Sequence, residues 1–526
     1  MQKEFNDTGL CVPHRHYMVD ISAKIEKISE LVAKGKYFTI NRPRQFGKTT
    51  TLSQLARQLN QRGDYLALSI SFEGIDSETY QYQDRFIATF LDILAHEFDY
   101  LKLPELVQLI EQQIPVVTNL NVLSRLITKL NQTMPTKPMV LLIDEVDKSS
   151  NNQLFLDFLA MLRNKYLQRN DGKDDTFQSV VLAGVHDVKT LKAKIRPDSE
   201  QKYNSPWNIA IDFRVDLSFS ATEIATMLQD YSHDKRIQPD IAAIADKLYY
   251  YTAGYPYLVS KLCKFIDEDI IPLRTDPTWT VDDVEAAFKL IVDESYTTTL
   301  FDSLTKNLEN NRELYEMVFD IIMNGKKYPF NAKAPLVNLG YLYGIFSPAP
   351  DGSCQIHNRI FEQCIYAYMM TNYLIKESEP LLSLQPGFYN SDGLNLPVIL
   401  QKFQAFMKEN YAQQDAKFLE REGRLLFLSF LRPILNGKGF DFKEPNVGDE
   451  RRMDIVITYR NKRYVLELKI WYGEEAHQAG LQQLSNYLDL YGLSEGYLLI
   501  FDFNKHKQYK EEPIAVHGKQ ILAVWV

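Results

Sequence analysis

Tyr37-Phe38-Thr39-Ile40-Asn41-Arg42-Pro43-Arg44-Gln45-Phe46-Gly47-Lys48-Thr49-Thr50 decides how the first half of the chain folds. The apolar tetrad Tyr37 to Ile40 reads as a strand. Asn41 to Gly47 is a loop, and beyond Lys48 the apolar positions Leu52, Leu55 and Leu59 recur at helical spacing. A loop that joins a strand to a helix start offers backbone N–H groups and the positive end of the helix dipole, which together suit a polyphosphate. In such a cradle Lys48 reaches the β and γ phosphates, and the Thr49 hydroxyl takes one position around Mg²⁺. The stretch departs from G-x-x-x-x-G-K-[ST] at its first glycine, where Arg42 stands, so the entry to the loop must differ. On its own, Gly47-Lys48-Thr49 also fits an ordinary helix N-terminus.

A second motif tips the balance. Met139-Val140-Leu141-Leu142-Ile143 reads as a strand that delivers Asp144 and Glu145 at its C-terminal edge. Asp144 suits the water shell of Mg²⁺, and Glu145 suits polarising an attacking water. Two further apolar runs, Tyr65 to Phe72 and Val180 to Gly184, alternate with helical patterns, so a parallel sheet covered on both faces is expected. After about Ser220 the pattern is helix upon helix: Ile224 to Tyr231, Ile241 to Tyr250 and Tyr257 to Phe265. From Phe301 to Tyr373 helices are joined by a short hairpin around Pro348 to Ser353. A stretch rich in Pro, Gly, Ser and Asn, Glu379 to Pro397, reads as a linker. From Val398 onward the order is helix, strand, hairpin turn, strand, helix, strand.

FNDTGLCVPHRHYMVDI (5–21), YFTINRPRQFGKTTTL (37–52), VLLIDEVD (140–147), VVLAGVHDVKTL (180–191), SPWNIA (205–210) and GYPYLV (254–259) give the chain its resemblance to a family. From Phe5 to about Thr371 it resembles the bacterial AAA-like ATPases related to the STAND and origin-recognition ATPases. In that family a glycine-poor P-loop is usual. The resemblance implies ATP with Mg²⁺ as cofactors, held by Arg44, Gln45, Phe46, Gly47, Lys48, Thr49, Thr50 and Asp144, with Thr49 and Asp144 at the metal and Glu145 catalytic. It also implies that Gly254-Tyr255-Pro256 opens a lid helix near the base of the nucleotide, with Gly254 and Pro256 as contacts. His186 stands where the class places a sensor, and a surface loop histidine fits there equally. Arg163, Arg169 and Arg196 are finger candidates that also suit structural roles.

The C-terminal region carries a second chemistry. Met453-Asp454-Ile455-Val456-Ile457 reads as a strand, Arg460-Asn461-Lys462 as a turn, and Tyr464 to Ile470 as its partner. Alternation puts Val465, Glu467 and Lys469 on one face, and Tyr464, Leu466, Leu468 and Ile470 on the other, toward a core. Asp454 and Glu467 are hard oxygen ligands for Mg²⁺ or Mn²⁺, completed by the Leu468 carbonyl. Lys469 can orient or deprotonate the water that attacks phosphorus. E-x-K on a strand also fits a solvated hairpin face. The pattern D-(x)n-E-x-K resembles the PD-(D/E)xK nuclease superfamily. That resemblance implies a restriction-endonuclease-like α/β domain, a further metal acid at Glu422 in the helix Phe418 to Phe430, and a supporting helix with Gln483 and Tyr487. The last pair, in QQLSNYLDLYG (482–492), resembles the Q-x-x-x-Y element of recombination helicase–nucleases. Gln478 and Gln482 are substitutes for Gln483, Glu420 is one for Glu422, and His477 stands outside the metal set. Arg421, Arg424, Arg451 and Arg452 suit phosphate contacts or ion pairs with Glu420, Asp449 and Glu450.

Composition frames these motifs. A chain of 526 residues exceeds one compact core, and about three domains are expected. The divisions read from the sequence are 1–220 (P-loop AAA-like ATPase core), 221–300 (helical lid), 301–378 (winged-helix-like), 379–397 (linker) and 398–526 (PD-(D/E)xK nuclease-like). With 45% hydrophobic and 24% charged residues the balance is that of a globular protein. No apolar run reaches the roughly 18 residues a bilayer crossing needs, and no secretory signal opens the chain. The four cysteines (Cys11, Cys263, Cys354, Cys364) form no CxxC pair, so a cytoplasmic protein without a disulfide or zinc framework is expected. A net charge of -9 excludes indiscriminate coating of nucleic acid but not a local basic groove.

Together the motifs predict an ATPase whose nucleotide state controls a fused, metal-dependent DNA nuclease. The partners expected are ATP and DNA, with no membrane. Phage defence or mobile-element maintenance fits by analogy of architecture alone. The alternative is a signalling or scaffold ATPase whose nuclease-like domain binds nucleic acid without cutting it. A third reading, a translocase resembling a helicase loader, requires a homo-oligomeric ring and an arginine supplied in trans.

Overall fold

The computed structural model describes residues 3–147, 149, 152–185, 209–211, 213, 215–293, 298–324, 326–376, 388–390, 393–411, 426–428, 430–431, 439–443, 453–459, 462–471, 473–490, 492–502, 504 and 507–526. By its contacts the chain forms two units. The first comprises Met1–Leu300, Ala332–Phe346 and His357–Ile360, and the second comprises Phe301–Asn331, Ser347–Ile356 and Phe361–Val526. The stretch expected to be winged-helix-like, 301–378, is shared between them.

In the first unit each short apolar run becomes a strand, because a run buried on both faces suits a parallel sheet. β1 (Phe38–Asn41), β2 (Leu66–Ser71), β3 (Met139–Asp144) and β4 (Ser179–Gly184) lie in the order β1-β4-β3-β2, all parallel. Every residue of β3 and β4 is buried. The register pairs Asn41 with Gly184 and Ser71 with Asp144, so the carboxyl ends of the strands finish along one edge. Ligands of parallel α/β sheets bind at that edge. α1 (Ser22–Ala33), α2 (Lys48–Arg62), α3 (Gln83–Tyr100), α4 (Pro104–Gln113), α5 (Leu120–Thr133) and α6 (Gln153–Asn170) accompany the sheet. Phe72 anchors the core against Phe86, Phe90, Phe155 and Phe158, mostly edge to face.

The helices Ala221–Lys235, Ile241–Thr252, Pro256–Phe265 and Val281–Asp293 follow, the first started by a capping box between Ser220 and Glu223. The N-terminal segment lies on these helices like a strap. Phe5 packs its ring against Tyr17, Tyr231 and Trp279, and Asp7 pairs with Lys261 and Lys264 at 3.0 and 2.9 Å.

The second unit holds the helix Arg312–Asn324 and most of the helix Arg359–Lys376. β5 (Phe346–Pro348) and β6 (Cys354–Ile356) form the short hairpin that the sequence indicates. The described part of the expected linker contains a small ladder, β7 (Tyr389–Asn390) with β8 (Gly393–Leu394), and the start of the helix Leu396–Tyr411.

Beyond it β9 (Gly439–Lys443), β10 (Met453–Tyr459), β11 (Lys462–Ile470), β12 (Glu495–Phe501), β13 (Glu511–Val516) and β14 (Lys519–Trp525) make one sheet in the order β13-β14-β12-β11-β10-β9. β11, β12 and β14 run parallel, while β9, β10 and β11 are antiparallel neighbours. The helix Glu474–Leu490 makes the crossover from β11 to β12 and buries Leu481, Leu484 and Leu488 against Val465, Leu498 and Ile500. Sequence patterning did not anticipate β9 or the closing hairpin β13–β14. That hairpin turns on His517 and Gly518, both at positive φ (47° and 77°), a two-residue turn without the usual Asn-Gly signal. No helix among the described residues is long and apolar enough to cross a membrane.

Candidate functional site

The loop between β1 and α2 curls through left-handed backbone at Gln45 (φ 55°) and Gly47 (φ 76°), which turns it back over the start of α2. Gly47 is the N-cap and carries no side chain to cap the helix, so no side chain competes for its first N–H groups. Lys48 is only 6% exposed, and its Nζ donates to the carbonyls of Arg42 (3.0 Å) and Pro43 (2.8 Å). Burial pushes its ammonium below the ordinary lysine range, against the pull of Asp147, Glu145 and Asp144. Thr49 Oγ1 donates to Asp144 Oδ2 at 2.6 Å, which joins the loop to the end of β3. Asp144 Oδ1 accepts from the Glu145 N–H at 2.9 Å. Glu145 itself has φ 54°, and burial followed by the charge of Asp144 raises its carboxyl above the usual range. A base with raised affinity for protons at the mouth of a phosphate loop is suited to a water nucleophile.

Arg42 explains the missing first glycine. Its guanidinium donates to the carbonyls of Asn41 (2.9 Å) and Val215 (2.8 Å) and lies over the Phe213 ring. The entry to the loop is therefore fixed by a side chain rather than by a tight glycine turn.

The remaining expected contacts divide into two groups. Arg44 and Gln45 are exposed, while Phe46 is buried edge-on against Tyr255 and His357. Tyr255 also donates through its hydroxyl to the Arg44 carbonyl. Thr50 Oγ1 accepts from the Cys11 N–H at 3.3 Å. Gly254 (φ 70°) leaves no room for a side chain, since a Cβ there would stand 1.9 Å from the Phe219 carbonyl oxygen. Pro256 opens its helix beside Gly47, at 3.8 Å from where a Cβ of residue 47 would be. The G-Y-P element thus touches the phosphate loop directly. Next to it lies a cavity of about 130 Å³, lined by the strap (Asn6 to Gly9), α2 (Thr50, Gln54), Phe219, Met227 and Tyr257. The strap's own sequence, 5–21, carries no local sign of this cavity.

Arg169 is committed to structure, donating to the carbonyls of Phe177, Gln178 and Gly35 at 2.7, 2.7 and 2.8 Å, and so is unsuited as a finger. Arg163 Nε is buried and has no hydrogen-bond partner among the described residues. His186 and Arg196 lie outside the described residues, as do Glu420, Arg421, Glu422, Arg424, Asp449, Glu450, Arg451 and Arg452.

In the second unit the β10–β11 ladder pairs Asp454 with Glu467 and Met453 with Leu468. Val465, Glu467 and Lys469 share a face, as alternation requires, but that face is not open. The helix Glu474–Leu490 covers it, so Glu467 is 1% exposed, as deeply buried as Leu466 and Leu468 on the opposite face. Lys469 Nζ stands 4.0 Å from Glu467 Oε1. Its side chain lies across Gly480, where a Cβ would be 1.9 Å from Nζ. Only a glycine admits the lysine there, and no motif drew attention to it. His477 meets Trp471 and Gly480 meets Lys469, so the helix runs antiparallel to β11 and carries Gln483 toward the level of Glu467. Gln483 Oε1 is buried without a hydrogen-bond partner among the described residues. Tyr487, one turn further on, is half-buried. Gln478 and Gln482 are exposed and bonded to Glu474 and to Asn486 and His517. Among the described residues no group of three His, Cys, Asp or Glu stands together as a metal cluster. A buried carboxylate oxygen and an unsatisfied amide oxygen on facing elements are nonetheless the hard donors that Mg²⁺ or Mn²⁺ takes.

Residues 12–334 match the model of a family described as an AAA-like domain. The chain belongs to the AAA-like family. Residues 439–512 of this AAA-like protein match a second model, the PD-(D/E)XK nuclease superfamily. Both resemblances expected from the motifs are borne out, and so is the α/β fold class. No curated protein sequence matches the chain. Among solved structures, a Walker-type ATPase of Pyrococcus abyssi is similar at 12% identity and TM-score 0.45, over 69% of this chain and 99% of that one. The ORC2 protein of Aeropyrum pernix matches at 12% identity and TM-score 0.35, over 66% and 93%. The RuvB Holliday junction branch migration motor of Thermotoga maritima matches at 14% identity and TM-score 0.33, over 69% and 96%.

Proposed function

We propose that the AAA-like unit binds and hydrolyses ATP with Mg²⁺, and that its nucleotide state governs DNA cutting by the PD-(D/E)xK domain. The domains on this proposal are those read from the sequence, with the ATPase core at 1–220 and the nuclease-like domain at 398–526. The observation that carries the cutting role is the buried Glu467, opposite Asp454 in the ladder and 4.0 Å from the Lys469 ammonium. A carboxylate so buried next to a half-buried lysine contributes little to stability, and the arrangement is better understood as a site.

At the first site Thr49 and Asp144 would hold the Mg²⁺, and Lys48 would leave the carbonyls of Arg42 and Pro43 for the phosphates. Glu145 would take a proton from the attacking water, its raised proton affinity helping. The cavity under the strap, with Phe219, Met227 and Tyr257, would seat the base and keep water away from it.

At the second site Asp454, Glu467, the Leu468 carbonyl and Gln483 would hold the divalent metal, with Glu422 a further ligand and Tyr487 in support. The metal supplies charge stabilisation on the phosphate and a more acidic water. Lys469 orients that water and shields the charge growing on the phosphate oxygens.

The test incubates the full chain with linear, circular and single-stranded DNA, with and without ATP and Mg²⁺ or Mn²⁺. Lys469→Ala should abolish cleavage and keep ATP binding. Lys48→Ala should lose the thermal stabilisation that ATP gives. Undiminished cutting by Lys469→Ala would overturn the nuclease assignment, and tight DNA binding without products under any metal would favour a scaffold instead.

A further inference from the structure

Strand pairing in the nuclease-like sheet does not stop at Ile470. The Trp471 N–H donates to the Phe501 carbonyl at 3.0 Å, so the chain is still extended there. Alternation then puts Trp471 on the same face as Glu467 and Lys469. It lies two residues, about 6.6 Å, beyond the lysine. Contact with His477 on the covering helix, at 5.4 Å between ring centres, fixes the ring on that face.

Of the three tryptophans described, Trp279 and Trp525 are each 2% exposed, whereas Trp471, packed against the edge of the core, is only partly buried. Its inner side is backed by aromatic groups: His477 is 6% exposed, and Trp525 stands 6.1 Å from Trp471 and 5.4 Å from His477. Both contacts bear on one side of the ring and hold its orientation. Lys469 precedes it by two residues on the same strand face, and Lys510 Nζ sits 4.0 Å above the neighbouring Trp525 ring, paired at 3.2 Å with Glu512.

We propose that Trp471 is a stacking platform for an unpaired nucleobase next to the phosphate that Lys469 addresses, so that the site takes single strands or frayed ends. The inference rests on the nuclease reading of Glu467 and Lys469 and names the substrate of that site. Its physical basis is the difference between a base's face and its edge. A duplex shows a protein only base edges in its grooves, because each face is occupied by a neighbouring base. An unpaired base has a free π-face, and aromatic rings take it without regard to sequence. Lys469 on the same strand face, and Lys510 over the adjoining Trp525 ring, suit the phosphates of such a strand.

The test measures binding of labelled single-stranded DNA, single-stranded RNA and blunt duplex DNA to the full chain in a chelator, where no cutting occurs. The variants are Trp471→Leu, which keeps apolar packing but has no π-face, and Trp471→Phe, which keeps one. Trp471→Leu should weaken single-strand binding roughly 10- to 100-fold, the range for one stacked base. Duplex binding should change by less than about twofold, and Trp471→Phe should retain most of the affinity. In cleavage with Mn²⁺, the leucine variant should raise KM on single strands more than it lowers kcat. The DNA and RNA arms decide which polymer the platform serves. Unchanged single-strand affinity in Trp471→Leu, an equal loss on duplex, or a phenylalanine variant as weak as the leucine one overturns the proposal. Absence of cleavage by the wild type overturns the nuclease reading by itself, and the metal-free binding data still judge the platform.

Discussion

Gly480→Ala is the most discriminating single change in the nuclease-like domain. A methyl at that position would lie 1.9 Å from Lys469 Nζ and 2.9 Å from its Cδ and Cε, where ordinary contact begins at 3.4 Å. The ammonium must therefore retreat by about 1.5 Å from its place beside Glu467. The retreating group is the end of a flexible side chain, so the fold loses little by it. Alanine is also favoured over glycine inside a helix by about 1 kcal/mol. Stability should stay level or rise. Catalysis should not, because misplacing a reacting group by about 1 Å costs on the order of 100-fold. The assay compares Mn²⁺-dependent cleavage by wild type, Gly480→Ala, Lys469→Ala and the double variant, with the thermal midpoint of each. If the glycine acts through the lysine, the double variant should be no slower than Lys469→Ala alone. A Gly480→Ala protein that cuts at the wild-type rate would refute the placement of Lys469 as the working one.

Two further outcomes concern the ATPase unit. Gly254→Ala combines a left-handed backbone with a Cβ 1.9 Å from the Phe219 carbonyl oxygen, and should lower stability by several kcal/mol and weaken ATP binding, as read by thermal unfolding with and without nucleotide. His357, partly buried beside Phe46 and Tyr255, has its folded-state pKa pushed down by desolvation to about 4, against 6.5 when exposed. The folded chain then binds fewer protons than the unfolded one, so its stability is present above pH 6.5 and is lost as pH falls toward about 4. Denaturant titrations should show wild type losing up to about 1.4 kcal/mol per pH unit in that window relative to His357→Gln, and parallel curves would contradict it.

The parts of the molecule legible in the sequence are those whose signals are local. β1 to β4 were visible as apolar runs, and Lys48, Thr49 and Asp144 as residues at fixed offsets from strand ends. That Asp454 and Glu467 lie on neighbouring strands was legible too, although the turn read as Arg460-Asn461-Lys462 is shorter, since Lys462 already pairs with Tyr459. Contacts assembled from distant segments were not legible. The cavity beside the phosphate loop draws on residues 6–9, 50–54 and 217–257, and no window of sequence contains it. Gly480 lies in a helix where glycine only looks unfavourable, and its reason is a lysine on the preceding strand. Alternation correctly put Glu467 and Lys469 on one face but could not say that a helix would cover it. The hairpin at His517 and Gly518 escaped because histidine seldom marks a left-handed turn.

Arg42 also has a mechanical meaning. Where a glycine would leave the loop entrance free to pivot, this guanidinium ties it to Val215, six residues before the helix that begins at Ala221. Hydrogen bonds from a charged donor are each worth about 1.5–3 kcal/mol. A polyphosphate that reshapes the loop must either rupture that tether or drag the tethered segment along. On the proposed function, occupancy of the phosphate cradle would be felt as tension on the chain leading into the helical bundle, before any base had been gripped.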